Sequence, residues 1–141
     1  MAKEVKRPDP QMQRVYDMEA TAFYAWSLHV TSIARLRRMA ARVCEHYDLP
    51  TVTLELLSAR STDRGSYENT DGSIALCPYQ GRTALVLAHE LAHHLVDQRF
   101  PQAADHGPTF VKFYAEILAF LGVMPVQSFR AAARLHKVRI A

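Results

Sequence analysis

Leu85-Val86-Leu87-Ala88-His89-Glu90-Leu91-Ala92-His93-His94-Leu95-Val96 is the stretch on which the reading of this chain turns. It follows Thr83, a residue suited to capping a helix, and its apolar positions Leu85, Ala88, Ala92 and Leu95 lead toward Phe100-Pro101. A helix over this segment stacks His89 and His93, four residues apart, on one face. Two imidazole nitrogens placed in this way can reach one metal ion at about 2.0–2.1 Å. Glu90 is turned about 100° around the axis. It therefore does not join the histidines as a ligand, but can take a proton from a water held beside them. The combination points to metal-assisted hydrolysis. Zinc suits it best, because two or three imidazoles and a retained water are its usual catalytic arrangement.

A third ligand is sought among His94, Asp97, Asp105, His106 and Glu116. His94 points about 100° away from His93 and is expected to be exposed or hydrogen-bonded. Asp97 lies a further turn along, placed for a hydrogen bond to His93 or for an exposed helix end. Glu116 falls outside the apolar stripe of the next helix and is expected to face solvent. His106 remains, just before Gly107-Pro108 where the chain turns into that helix, with Asp105 as the weaker substitute.

Working outward, Gln11 to Tyr47 contains neither Gly nor Pro. Its apolar residues recur at helical spacing: Val15, Met18, Ala22 and Trp26, then Ile33, Leu36, Ala40, Val43 and Tyr47. One or two helices are expected, with a bend near His29–Ser32 where Ser32 can start a second segment. Asp48-Leu49-Pro50 ends the pattern. Thr51 to Leu57 alternates as a half-buried strand does. Ser66–Glu68 and Ser73–Leu76 flank Asn69-Thr70-Asp71-Gly72, whose Asp-Gly pair suits a hairpin turn. After the histidine helix, Pro108 opens a helix striped by Phe110, Phe113, Tyr114, Ile117, Leu118 and Leu121, which Gly122 and Pro125 stop.

These elements predict an α+β fold: N-terminal helix or helices, a small, mostly antiparallel sheet of about three strands, the histidine helix, and a further helix that brings the third ligand. At 141 residues and 49% hydrophobic, one domain is expected. It is placed at residues 11–125, after a flexible N-terminus at 1–10. A basic C-terminal segment at 126–141 is read as a short helix through Phe129, Ala132 and Leu135.

The remaining features narrow the class. The charged opening, Met1 to Pro8, lacks the apolar stretch of a secretory signal, and no later run approaches the length of a membrane span, so a cytoplasmic, membrane-free protein is expected. Cys44 and Cys77 have neither zinc-knuckle nor redox spacing and are read as small buried hydrophobes. Arg35, Arg37, Arg38 and Arg42, and again Arg130, Arg134, Lys137 and Arg139, form basic clusters that could hold DNA phosphates, although solvated helix surface is the plainer account. Tyr67, Tyr79 and Tyr114 are candidate donors to a developing oxyanion. The strand Ile74–Leu76 is a candidate edge for an extended substrate.

His89-Glu90-Leu91-Ala92-His93 followed by His106-Gly107-Pro108-Thr109-Phe110 resembles the HExxH and HGxxF pair of SprT-like metallopeptidases, and is similar to the WLM and YgjP-like groups of small zincins. The resemblance covers roughly Val52 to Leu121. It implies a minimal zincin fold, zinc on His89, His93 and His106, Glu90 as general base, and a peptide or protein substrate. This chain departs from SprT and Spartan proteins in one respect: its two distant cysteines cannot supply a zinc ribbon. Two other readings stay open, a zinc-containing nucleic-acid or protein binding module without catalysis, and a zinc hydrolase with a non-peptide substrate.

Overall fold

Ser32 divides the long N-terminal helical pattern. In the computed structural model, which describes residues 8–58, 64–68 and 71–141, its hydroxyl accepts the Arg35 N–H at 3.2 Å. It thereby caps the second of two helices, α1 (Met12–Thr21) and α2 (Ile33–Tyr47). The interruption is wider than the expected bend because tertiary contacts hold it. Phe23 is buried in the core, the Trp26 indole donates to the Val123 carbonyl at 3.1 Å, and the Thr31 N–H reaches the Arg82 carbonyl at 2.8 Å. Only a single 3-10 turn, Trp26–Leu28, forms between the helices.

Three short strands follow, β1 (Thr53–Leu56), β2 (Gly65–Glu68) and β3 (Ser73–Leu76). Their order is β1-β3-β2. β2 and β3 form the expected hairpin, antiparallel with Gly65 opposite Leu76 and Glu68 opposite Ser73. Gly72 takes the positive φ of 66° that its turn requires, while Asn69 and Thr70 lie outside the described residues. The sheet is mixed rather than mostly antiparallel, since β1 pairs with β3 in parallel. The cause is topological. The chain passes from β1 to the far edge before the hairpin returns it, so β3 is inserted between two strands of opposite sense. β3 is therefore central, with Ile74 and Leu76 fully buried. The edge candidate moves from Ile74–Leu76 to β2.

Thr83 caps α3 (Ala84–Arg99), accepting the Val86 N–H at 3.2 Å. Nearly every side of α3 is covered, which accounts for its apolar sequence outside the motif. It packs on β2 and α2, and most extensively on α4 (Pro108–Phe120). The C-terminal segment forms α5 (Val126–Leu135), which packs on α4 and α1. Phe129, Ala133 and Val138 enter the same core as Phe23 and Tyr114, so residues 126–141 are continuous with the domain rather than appended to it. The final turn is tied back as well: Gln11 Oε1 accepts the Arg139 N–H at 3.0 Å. Cys44 and Cys77 are buried free thiols. Among the described residues no helix is long and apolar enough to cross a membrane.

Candidate metal centre

α3 presents His89 and His93 one turn apart, and the entrance to α4 brings His106 against them. The His93 and His89 Nε2 atoms are 3.2 Å apart, and those of His106 and His89 3.3 Å. One ligand atom from each of the three lies within 4.8 Å of the others. Gly107 and Pro108 make this approach possible, Gly107 as the extended residue before the helix and Pro108 in its first turn. Phe110, two residues further, lies nearly parallel to the His93 ring with centroids 4.5 Å apart, and fixes that ring from below.

The Nδ1 atoms of His89 and His106 are held by carboxylates. His89 Nδ1 lies 2.7 Å from Glu19 Oε2, and His106 Nδ1 lies 2.7 Å from Asp9 Oδ2. A second Asp9 oxygen accepts the His106 backbone N–H at 3.0 Å. Glu19 Oε2 also accepts the Tyr114 hydroxyl at 2.8 Å. A carboxylate at Nδ1 keeps the proton there and turns the lone pair of Nε2 inward. Burial opposes charge on His89, but Glu19 outweighs it and holds the imidazole above its usual value. Burial likewise opposes charge on Glu19, yet His89 and the Tyr114 hydroxyl hold that carboxyl below its ordinary range. Burial, joined by the neighbouring imidazoles, keeps His93 well below the usual value and His106 below it as well.

This donor set fits a metal ion. Four ligands at about 2.0–2.1 Å in a tetrahedron stand about 3.3 Å apart, the spacing of the His93–His89 and His106–His89 Nε2 pairs. Inward lone pairs and outward carboxylates are also the usual environment of metal-binding histidines. His89, His93 and His106 are thus close enough, and suitably oriented, to hold one.

Glu90 opens toward the same space. Its residue is 7% exposed, its carboxylate makes no hydrogen bond among the described residues, and burial pushes its pKa up against the pull of His89. It lines a cleft of about 410 Å³ together with His93, His106 and the edge strand β2. It also lines a second cavity of about 510 Å³ toward α1, and Tyr16, Gly65 and His89 are common to both. Tyr16 stands over the histidines, its ring centroid 5.1 Å from that of His106 and 6.1 Å from that of His89.

The other candidates fall as follows. Asp105 is exposed and lines the cleft but does not join the three-histidine cluster. His94 is buried, its Nε2 2.8 Å from the Pro50 carbonyl and its Nδ1 2.9 Å from the Tyr67 hydroxyl. Asp97 Oδ2 lies 3.4 Å from the Tyr67 hydroxyl and makes no hydrogen bond to His93 among the described residues. Glu116 is half-buried, with one oxygen sequestered and unpartnered, which corrects the expectation that it faces solvent. Its helix is packed on more than the one stripe. Of the three tyrosines, only Tyr67 lines the cleft; Tyr114 is fully buried against Glu19 and Tyr79 is exposed elsewhere. Arg37 donates to the Leu54 carbonyl at 3.0 Å and Arg42 lies over Phe120 at 5.3 Å, so half of the first basic cluster serves the fold.

Asp9, Tyr16 and Glu19 were not found from sequence. Glu19 carried a signal, a charged residue beside the buried stripe of Val15 and Met18. Asp9 carried none, because it sits in a segment read as flexible. Compared with protein-family models, curated proteins and solved structures, the chain gives no match.

Proposed function

We propose that this chain is a zinc-dependent metallopeptidase of the SprT-like kind, with the minimal zincin fold that the motif resemblance implies. The observation that carries this reading is the convergence of three Nε2 atoms, at 3.2 and 3.3 Å, beside a buried, unpaired Glu90 that opens to the same cleft. Zinc, when bound, supplies Lewis acidity that brings the pKa of water toward neutrality and polarises a carbonyl. His89, His93 and His106 would hold it through Nε2, while Glu19 and Asp9 retain the Nδ1 protons. Glu90 takes a proton from the attacking water and returns it to the leaving nitrogen. Its raised pKa suits both halves of that task.

Two further features support the choice of substrate and setting. β2 is an edge strand lining the cleft, and its open side offers backbone groups with which an extended peptide can pair. Free buried thiols suit a reducing cytoplasm. A purely structural metal site has no use for an unpaired carboxylate, so Glu90 also counts against a non-catalytic binding module.

The test measures zinc content and digestion of an unfolded protein by wild type and Glu90→Gln, with and without single-stranded DNA. Zinc in both proteins with cleavage by wild type alone is the expected result. Zinc without cleavage by wild type would overturn the peptidase reading in favour of a binding module. Stimulation by DNA would give the basic helix faces a role.

A further inference from the structure

The cleft is opposite in sign to the chain that encloses it. The protein has a formal charge of +3, yet the charged side chains among the described residues lining this cleft, its histidines aside, are Glu68, Glu90, Asp97 and Asp105, with no Lys or Arg. The arginines discussed above are on α2 and around α5. Asp97 lies four residues beyond His93 on α3, and Asp105 directly precedes His106, so the two carboxylates enter the cleft from both elements that build the metal centre. Among the described residues, the Tyr67 hydroxyl lies 3.4 Å from Asp97. The same wall carries apolar surface from Val96 and Phe100. Glu90, 7% exposed and without a hydrogen-bond partner among the described residues, marks this space as one built to receive a ligand.

Apolar surface beside a half-buried and an exposed carboxylate, Asp97 and Asp105, complements a side chain with an aliphatic stem and a cationic tip. We propose that the cleft selects peptides bearing a lysine or arginine near the scissile bond, the stem lying on Val96 and Phe100 and the charge met by Asp97 and Asp105. The proposal deepens the peptidase reading and rests on it. An acidic side chain would be repelled at the same place, and a phosphate-rich strand would be kept out of the cleft even if it bound the arginine-bearing helices.

Binding to the zinc-loaded Glu90→Gln protein tests this without requiring turnover. A labelled alanine–serine peptide carrying one lysine is compared by fluorescence anisotropy with the same peptide carrying norleucine or glutamate. The lysine peptide is expected to bind about fivefold more tightly than the norleucine peptide, the advantage that partly exposed ion pairs supply, and glutamate most weakly. Asp97→Asn with Asp105→Asn in that background should abolish the advantage while zinc content and thermal melting are retained. If the double variant misfolds, the Asp105→Asn change alone, at an exposed position, should reduce the advantage. Equal binding of the lysine and norleucine peptides overturns the proposal, as does a preference that survives the loss of the carboxylates, or failure of every peptide to bind. The digestion test above judges hydrolysis separately, so cleavage without charge preference would remove this inference and leave the peptidase reading in place.

Discussion

Asp9 grips His106 at two points, one carboxylate oxygen accepting the backbone N–H at 3.0 Å and the other facing Nδ1 at 2.7 Å. The first contact fixes where the chain enters α4, and the second fixes which way the imidazole faces. Asp9→Ala should therefore weaken zinc binding about 10- to 100-fold, the usual effect of losing a partner to a metal-binding histidine. Competition with a chromophoric chelator measures it. Unchanged affinity would show that Gly107-Pro108 and the packing of α4 orient His106 unaided.

Glu19 is shared between His89 Nδ1 at 2.7 Å and the Tyr114 hydroxyl at 2.8 Å. Tyr114 is fully buried, so Glu19→Ala leaves its hydroxyl without a partner and should cost about 1–3 kcal/mol in metal-free protein. Tyr114→Phe should cost less, about 1 kcal/mol, because Glu19 then keeps His89 as a partner. Urea unfolding of the single and double variants forms a cycle that isolates the pair. Additive effects would mean that the hydrogen bond contributes nothing beyond the packing of each residue.

Tyr67 and Tyr16 differ in what their hydroxyl protons can do. The Pro50 carbonyl can only accept, so His94 donates from Nε2, which leaves Nδ1 to accept the Tyr67 proton at 2.9 Å. Tyr67 is thereby committed within the protein. Tyr16 makes no side-chain hydrogen bond among the described residues and stands over His89 and His106. Under the peptidase reading, Tyr16→Phe should lower kcat about 100-fold with KM little changed, as loss of an oxyanion donor does. Tyr67→Phe should instead lower stability by about 1–3 kcal/mol, because the buried His94 loses its partner. A kcat loss confined to Tyr67→Phe would reverse the assignment.

The pattern of legibility follows from the range of the interactions. His89, Glu90 and His93 could be read because their relationship is set by one helical turn, and Thr83 and Ser32 because a cap acts over three residues. His106 could be reached by elimination, since Gly107-Pro108 announces a helix entrance. Asp9 and His106 are 97 residues apart, and Glu19 and His89 are 70 apart. No local periodicity encodes such contacts. Strand direction was lost for a related reason. Each strand and the β2–β3 turn are local properties, whereas the parallel β1–β3 pairing depends on where the chain crosses the sheet.

Gly65 joins the fold to the cleft, because the edge strand begins where it passes close to α3. A Cβ at this position would stand 2.8 Å from Val86 Cγ1 and 3.2 Å from Leu76 Cδ2. Val86 sits in the first turns of α3, where a β-branched side chain has essentially one rotamer and cannot swing aside. Relief must come from the backbone, by moving β2 away from the helix that carries Glu90. Gly65→Ala should cost about 1–3 kcal/mol of stability, as overpacking does. Because Gly65 lines both cavities, the displaced strand should also reduce kcat/KM for peptides while zinc content stays near that of wild type, since none of the three histidines is on β2. Val86→Ala in the same chain removes the obstructing methyls and should recover part of the lost kcat/KM. Denaturant unfolding, zinc analysis and peptide kinetics on the single and double variants separate these effects, and a Gly65→Ala protein with unchanged kcat/KM would show that the edge strand does not position substrate.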